Sequence, residues 1–196
     1  FNDTKKLIII YGIAATMQFL HSHQILHRDL KPDNILMDSS YYPILADFGI
    51  SKDQNNLEIS IAGIKGTPIY LSPEIWEDFY YSKASDVYAF SLIVYEIIAN
   101  EKPFNNLKNK NIYKLQKYIT DGNRPDTTYI DEPYKDLIES CWAQDFEDRP
   151  TFEDIVQGLR ENPDFITDSI DEDEYRSYIE YIDESPKDFI SIIDPR

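Results

Sequence analysis

The sequence predicts an α+β chain in which a mainly helical body carries one small β-hairpin. Three observations set that class. Residues 4–23 repeat apolar side chains at helical spacing, and residues 85–100 are apolar almost all round. Two short apolar runs, "ILM" at 35–37 and "PILA" at 43–46, flank the turn-rich "DSSYY".

Each element follows from its own signal. The first helix rests on Leu7, Ile8, Tyr11, Ile13, Ala14, Met17 and Leu20, with no proline among them. Ile25 and Leu26 then lead into "HRDLKPDN" at 27–34, a charged octet between two apolar stretches. The two short runs that follow read as a hairpin. From Asp47 to about Glu74 the chain is rich in Gly, Ser, Asn and Pro. That is too long for an ordinary connection, and such loops are functional or disordered. "SDVYAFSLIVYEIIAN" reads as a core helix with Ser85 as its N-cap. Further helices are expected near 107–120, 134–143 and 151–161, with "DGNRPD" and "EDRP" as breaks.

Composition narrows the function. The 196 residues are 42% hydrophobic, enough for one sizeable core. A formal charge of −17 argues against nucleic acid, whose phosphates would repel the chain. One cysteine, Cys141, forms no internal disulfide and suits a reducing, cytoplasmic compartment. No apolar run reaches membrane-spanning length, so no membrane partner is expected. The three histidines, His21, His23 and His27, invite a metal site through the spacing of the last two. The strand-like Ile25–Leu26 and the lack of an acidic third ligand in register speak against it. His21 and His23 read instead as polar residues at a helix end.

The octet could be a surface turn or a catalytic loop, and the motifs around it decide between them. "DFG" (Asp47 to Gly49) begins thirteen residues after Asn34, "GTPIYLSPE" spans 66–74, "SDVYAFS" begins at 85, and "CWAQDFEDRP" ends at Pro150. In order and spacing these motifs resemble the C-terminal lobe of a eukaryotic protein kinase over residues 1–161, with catalytic loop 27–34 and activation segment 47–74. The resemblance implies a protein-kinase-like (α+β) fold, of which this chain holds the mainly helical C-lobe and its hairpin while the N-lobe is absent.

The resemblance also implies roles. Asp29 matches the catalytic Asp that orients the substrate hydroxyl and accepts its proton, and Lys31 would reach the γ-phosphate of ATP. Asn34 and Asp47 match the two Mg²⁺ ligands. Leu36 matches the apolar contact to adenine, while His27 and Phe48 match residues stacked beneath the site and Gly49 completes their motif. Asp86 matches the residue that hydrogen-bonds the catalytic-loop backbone, and Glu74 and Arg149 match a structural ion pair. Thr67 matches the threonine that bridges catalytic Asp and Lys in serine/threonine-directed enzymes. That match, with Lys31 and "CWAQDFEDRPTFEDIV", places the chain nearest the tyrosine-kinase-like group of serine/threonine kinases. Ser72 stands where the family usually has Ala. The expected partners are a protein substrate and an upstream activating kinase. The latter would phosphorylate Ser60 or, less favoured, Ser51, so that Arg28, aided by Lys52, pairs with the phosphate.

Two features pull the other way. No glycine-rich loop, strand lysine or partner glutamate is present, and only six residues precede Leu7. The chain, which begins with Phe1, therefore reads as an excerpt of a longer parent, a processed product or an incomplete gene model, and is expected to bind ATP poorly alone. The alternative is a truncated, non-catalytic binding or regulatory protein. Residues 162–196 form an acidic tail, eleven acidic against three basic residues, with Tyr175, Tyr178, Tyr181 and several Ile. They are expected to be a solvated or loosely packed appendage, ordered on a partner if at all.

Overall fold

A computed structural model describes residues 1–46, 67–105, 107 and 111–185. Asn2 opens the first helix, α1 (Asp3–Ser22), by accepting a hydrogen bond from Lys5 N–H. Leu7 to Ala14 are all buried, because α1 is enclosed by the elements that follow it. After the octet, a single 3₁₀ turn (Pro32–Asn34) leads into β1 (Ile35–Met37), which pairs antiparallel with β2 (Pro43–Leu45). The register sets Ile35 opposite Leu45, Leu36 opposite Ile44 and Met37 opposite Pro43. Asp38 shapes the turn by accepting from Ser40 and Tyr42 N–H. The expected hairpin is present.

Among the described residues five further helices follow, α2 (Pro73–Asp78), α3 (Lys83–Ala99), α4 (Ile112–Thr120), α5 (Glu132–Cys141) and α6 (Phe152–Glu161), with a sixth, α7 (Glu172–Glu184), in the acidic tail. α1 packs on α6, α7, α3 and β2; α3 packs on α5 as well, and α2 on α4. Both α1 and α3 are central, which explains why neither has a polar face.

Four expectations need correction. Ser85 is not the N-cap of α3. Ser82 is, and Ser85 sits at N3 of a reciprocal capping box. The segment ending at Glu74 is not irregular throughout, for Pro73 starts α2 directly after Ser72, proline at a helix's first position being favourable. The helix expected from 107 begins at Ile112, capped by Asn111.

The tail is the largest correction. Through Ser185 it is no solvated appendage. Asp171 caps α7, and Tyr175 and Tyr178 are buried against α1, at 0% and 1% exposure. The helix is acidic along its outer face and aromatic along its inner one, so the charge that suggested solvation belongs to one side only. Among the described residues no helix is long and apolar enough to cross a membrane.

Candidate functional site

The octet forms a loop between α1 and the hairpin. Its inward residues, His27 and Leu30, are fully buried at 0% and 1% exposure, so the loop is anchored rather than draped on the surface. Arg28 adopts a positive φ of 66°, unusual for a side chain of its size. Asp86, at the start of α3, holds that geometry. Its Oδ2 accepts from His27 N–H at 2.9 Å and its Oδ1 from Arg28 N–H at 2.9 Å. His21 Nε2 lies 2.9 Å from the same Oδ2. Because a carboxylate only accepts, His21 carries its proton on Nε2. His21 is thus an internal strut, and the sequence reading of it as a helix-end residue missed this role. One sign was available: it lies four residues after Met17, on the same face of the helix as that apolar side chain.

Asp29 is surrounded by four donors. Thr67 N–H and Oγ1 reach Oδ1 at 2.9 and 3.2 Å, while Lys31 Nζ and Asn34 Nδ2 reach Oδ2 at 2.6 and 3.4 Å. Lys31 Nζ also donates to Thr67 Oγ1 at 3.0 Å, closing a ring of three side chains. Thr67 lies far along the chain, so this ring ties the octet to the segment that enters α2. A single carboxylate fixed by charge-assisted bonds on both oxygens presents one orientation to whatever approaches it.

Asn34 is buried beside it. Its Nδ2 donates to the Asp29 backbone oxygen at 2.8 Å, and its Oδ1 accepts no hydrogen bond among the described residues. That leaves a hard oxygen next to a carboxylate, a donor set that fits a divalent metal. Leu36, on β1, is 54% exposed and stands beside the exposed Ile44 on the open face of the hairpin. Asp47, Phe48, Gly49, Ser51, Lys52 and Ser60 lie outside the described residues.

Glu74 and Arg149 meet in a buried two-pronged pair, with Nη1 to Oε1 at 2.8 Å and Nη2 to Oε2 at 2.9 Å. Arg149 also donates to the backbone oxygens of Ala143 and Ala84, and Ser85 Oγ donates to Glu74 Oε1 at 2.9 Å. Burial works to raise the Glu74 carboxyl, but the Arg149 hydrogen bonds and charge outweigh it and hold the group below its ordinary range. Tyr88, wholly buried on α3, lies between two guanidinium groups, Arg149 at 5.1 Å and Arg124 at 5.2 Å from its ring centre. Burial pushes its hydroxyl up to about 12.

Next to Thr67 lies a depression of about 490 Å³, walled by Pro68, Ile69, Phe104, Ile112 and Leu115, with Lys102 at its edge. It adjoins the Asp29 ring through Thr67.

Residues 2–159 match the family described as "Protein kinase domain". The chain is 38% identical over 162 residues to a Dictyostelium discoideum protein named "Probable serine/threonine-protein kinase gdt9", covering 79% of this chain and 10% of that protein. It is 36% identical over 157 residues to the "Serine/threonine-protein kinase VIK" of Arabidopsis thaliana, covering 75% of this chain and 35% of that one. Over 173 residues it is 34% identical to the mouse "Receptor-interacting serine/threonine-protein kinase 4", covering 80% of this chain and 22% of that one. The chain therefore spans a minor part of the length of these relatives.

Proposed function

The chain belongs to the protein kinase domain family, and from that premise we propose that it serves a protein serine/threonine kinase that transfers the γ-phosphate of ATP to a protein hydroxyl. The observation that carries this reading is the Asp29–Lys31–Thr67 ring. In it, Asp29 orients the acceptor hydroxyl and takes its proton as the new oxygen–phosphorus bond forms and the bond to the leaving β-phosphate oxygen breaks. Lys31, already within reach of Asp29, swings to the γ-phosphate oxygens and balances the charge in transit. Thr67 holds Asp29 in place while Lys31 is engaged. Asn34 and Asp47 would hold Mg²⁺, which supplies charge neutralisation along the triphosphate. Leu36 offers an apolar surface to adenine.

Serine/threonine preference is supported by Thr67 and by the names of the relatives. The tyrosine-kinase-like grouping rests on "CWAQDFEDRPTFEDIV". Residues 1–161 act in this reading as the C-terminal lobe, which requires a nucleotide-binding N-terminal lobe for turnover. Activation by an upstream kinase at Ser60 is supported by Arg28, whose buried Nε has no hydrogen-bond partner among the described residues and which a phosphate would satisfy. A substrate with an apolar residue beside its acceptor fits the depression at Ile69 and Leu115.

The test joins residues 1–196 behind the N-terminal lobe of one of the relatives and measures phosphate transfer from radiolabelled ATP to protein substrates. Phosphoserine and phosphothreonine are expected. Asp29→Asn should lower the rate by about 10²- to 10⁴-fold, the usual weight of a general base. Exclusive phosphotyrosine, or full activity in Asp29→Asn, would overturn the reading. Mg-ATP-dependent transfer by the 196 residues alone would overturn the part that assigns them to a C-terminal lobe.

A further inference from the structure

Residues beyond 159 lie outside the family match, yet α7 is seated as firmly as the helices within it. Three contacts join it to the hairpin rather than to the helical body alone. Tyr178 and Tyr181 both pack on Tyr42, with ring centres 4.4 and 5.4 Å away. Lys5 on α1 pairs with Glu174 at 2.8 Å, donates to the Ser40 backbone oxygen in the hairpin turn at 3.1 Å, and sits over the Tyr42 ring. Tyr178 and Pro43 also meet over Gly12. A Cβ at that position would lie 2.5 Å from Pro43 Cγ and closer still to the Tyr178 hydroxyl, so the missing side chain of Gly12 is what admits both.

Both ends of α7 are fastened separately. Arg160 on α6 donates to Asp183 at 2.8 Å and to the Tyr11 hydroxyl, Tyr175 donates to the Leu159 backbone oxygen at 2.9 Å, and Asp171 N–H donates to Thr4 Oγ1 at 2.8 Å. A helix fixed at both ends on α1 and α6 is a stiff bar. Its middle packs on Tyr42, the residue that leads into β2.

We propose that α7 is a clamp that positions the hairpin, and that Tyr178 is its positioning residue. The path to the site is short. Tyr178 bears on Tyr42, directly before β2, and both Tyr178 and Pro43 close on Gly12. Ala46 N–H donates to the Asn34 backbone oxygen at 2.8 Å, tying the end of β2 to the residue that donates to Asp29. A two-stranded hairpin has little stability of its own, so its position must come from what it packs on. Here that support comes from α1 and, through Tyr42, from a segment C-terminal to the recognised domain. The functional meaning of the clamp rests on the kinase reading of Asn34; its mechanical part does not.

The experiment is amide hydrogen exchange together with the ¹⁵N side-chain signals of Asn34, recorded on the 196-residue chain. Tyr178→Ala should speed exchange of residues 35–37, 42 and 44–46 by about tenfold or more, leave the α3 amides unchanged, and shift or broaden the Asn34 carboxamide signals. Tyr178→Phe, which keeps the ring, should restore both. Tyr181→Ala, at a half-exposed position, is the milder variant in case the first does not fold, and should speed exchange in the hairpin a few-fold. Equal acceleration in α3 and the hairpin, or an unmoved Asn34 signal in a folded Tyr178→Ala chain, overturns the clamp. Failure of the phosphate-transfer test while these couplings hold would instead remove the kinase reading and leave the clamp standing.

Discussion

Asp86 illustrates how much one side chain can hold. It accepts from two successive backbone N–H groups and from His21 in a buried setting, and it keeps Arg28 in its positive-φ conformation. Asp86→Asn would turn one acceptor into a donor facing donors. The expected cost is about 1–3 kcal/mol by denaturant unfolding, with exchange of the His27 and Arg28 amides accelerated. Glu74 gives a pH signature. Its folded carboxyl lies below the ordinary value of 4.5, so its contribution to stability is complete above about pH 4.5 and is lost as pH falls through the lower, folded value. Denaturant midpoints followed from about pH 6 to pH 3 should show this loss, and Glu74→Gln should flatten that part of the curve. Arg149→Met leaves a buried carboxylate unpaired and should cost about 3–5 kcal/mol. Cys141 is fully buried, and burial pushes its thiol up to about 12. It should resist maleimide at mildly alkaline pH until the chain is unfolded in denaturant.

At the scale of elements, what was legible depended on whether a signal was local. The hairpin was readable because two apolar runs frame a turn, and α6 because the "EDRP" break marks the chain just before it. α3 was readable as a core helix, but its start was not, since Ser82 and Ser85 are equally good caps in isolation. The choice between them is tertiary: Ser85 reaches Glu74, which Arg149 holds from the other side. α7 was misread for the same kind of reason. Its acidic residues are a local signal for solvation, whereas the groove that takes Tyr175 and Tyr178 is made by α1. Gly12→Ala tests that groove. It should destabilise the chain by about 1–3 kcal/mol through overpacking against Tyr178 and Pro43, read as a lowered thermal midpoint.

For the whole molecule, the sequence motifs already named the residues that meet at Asp29, since their order along the chain reflects one construction: α3 and α1 at the centre, with the octet slung between them. Their distances were not legible. The ring of Asp29, Lys31 and Thr67 closes only because α2 and the turn before it fold back over the octet. The charge of −17 is likewise spread unevenly in space, with acidic residues displayed on the outer side of α7 and at helix starts, and the interior kept for paired groups such as Glu74 and Asp86. Charge at this level governs solubility and encounter rather than the fold.

Gly12 has a consequence for descent as well as for packing. The space above it is filled by a tyrosine from the opposite end of the sequence and by a proline from the hairpin, so none of the three can be replaced freely while the other two stay. Among proteins descended from a common ancestor, a side chain at position 12 should be accompanied by a smaller residue at 178 or a different turn at 43. Where the helix corresponding to α7 has been lost, position 12 should drift. The glycine is therefore a record, kept in the first helix, of whether the last one is in place.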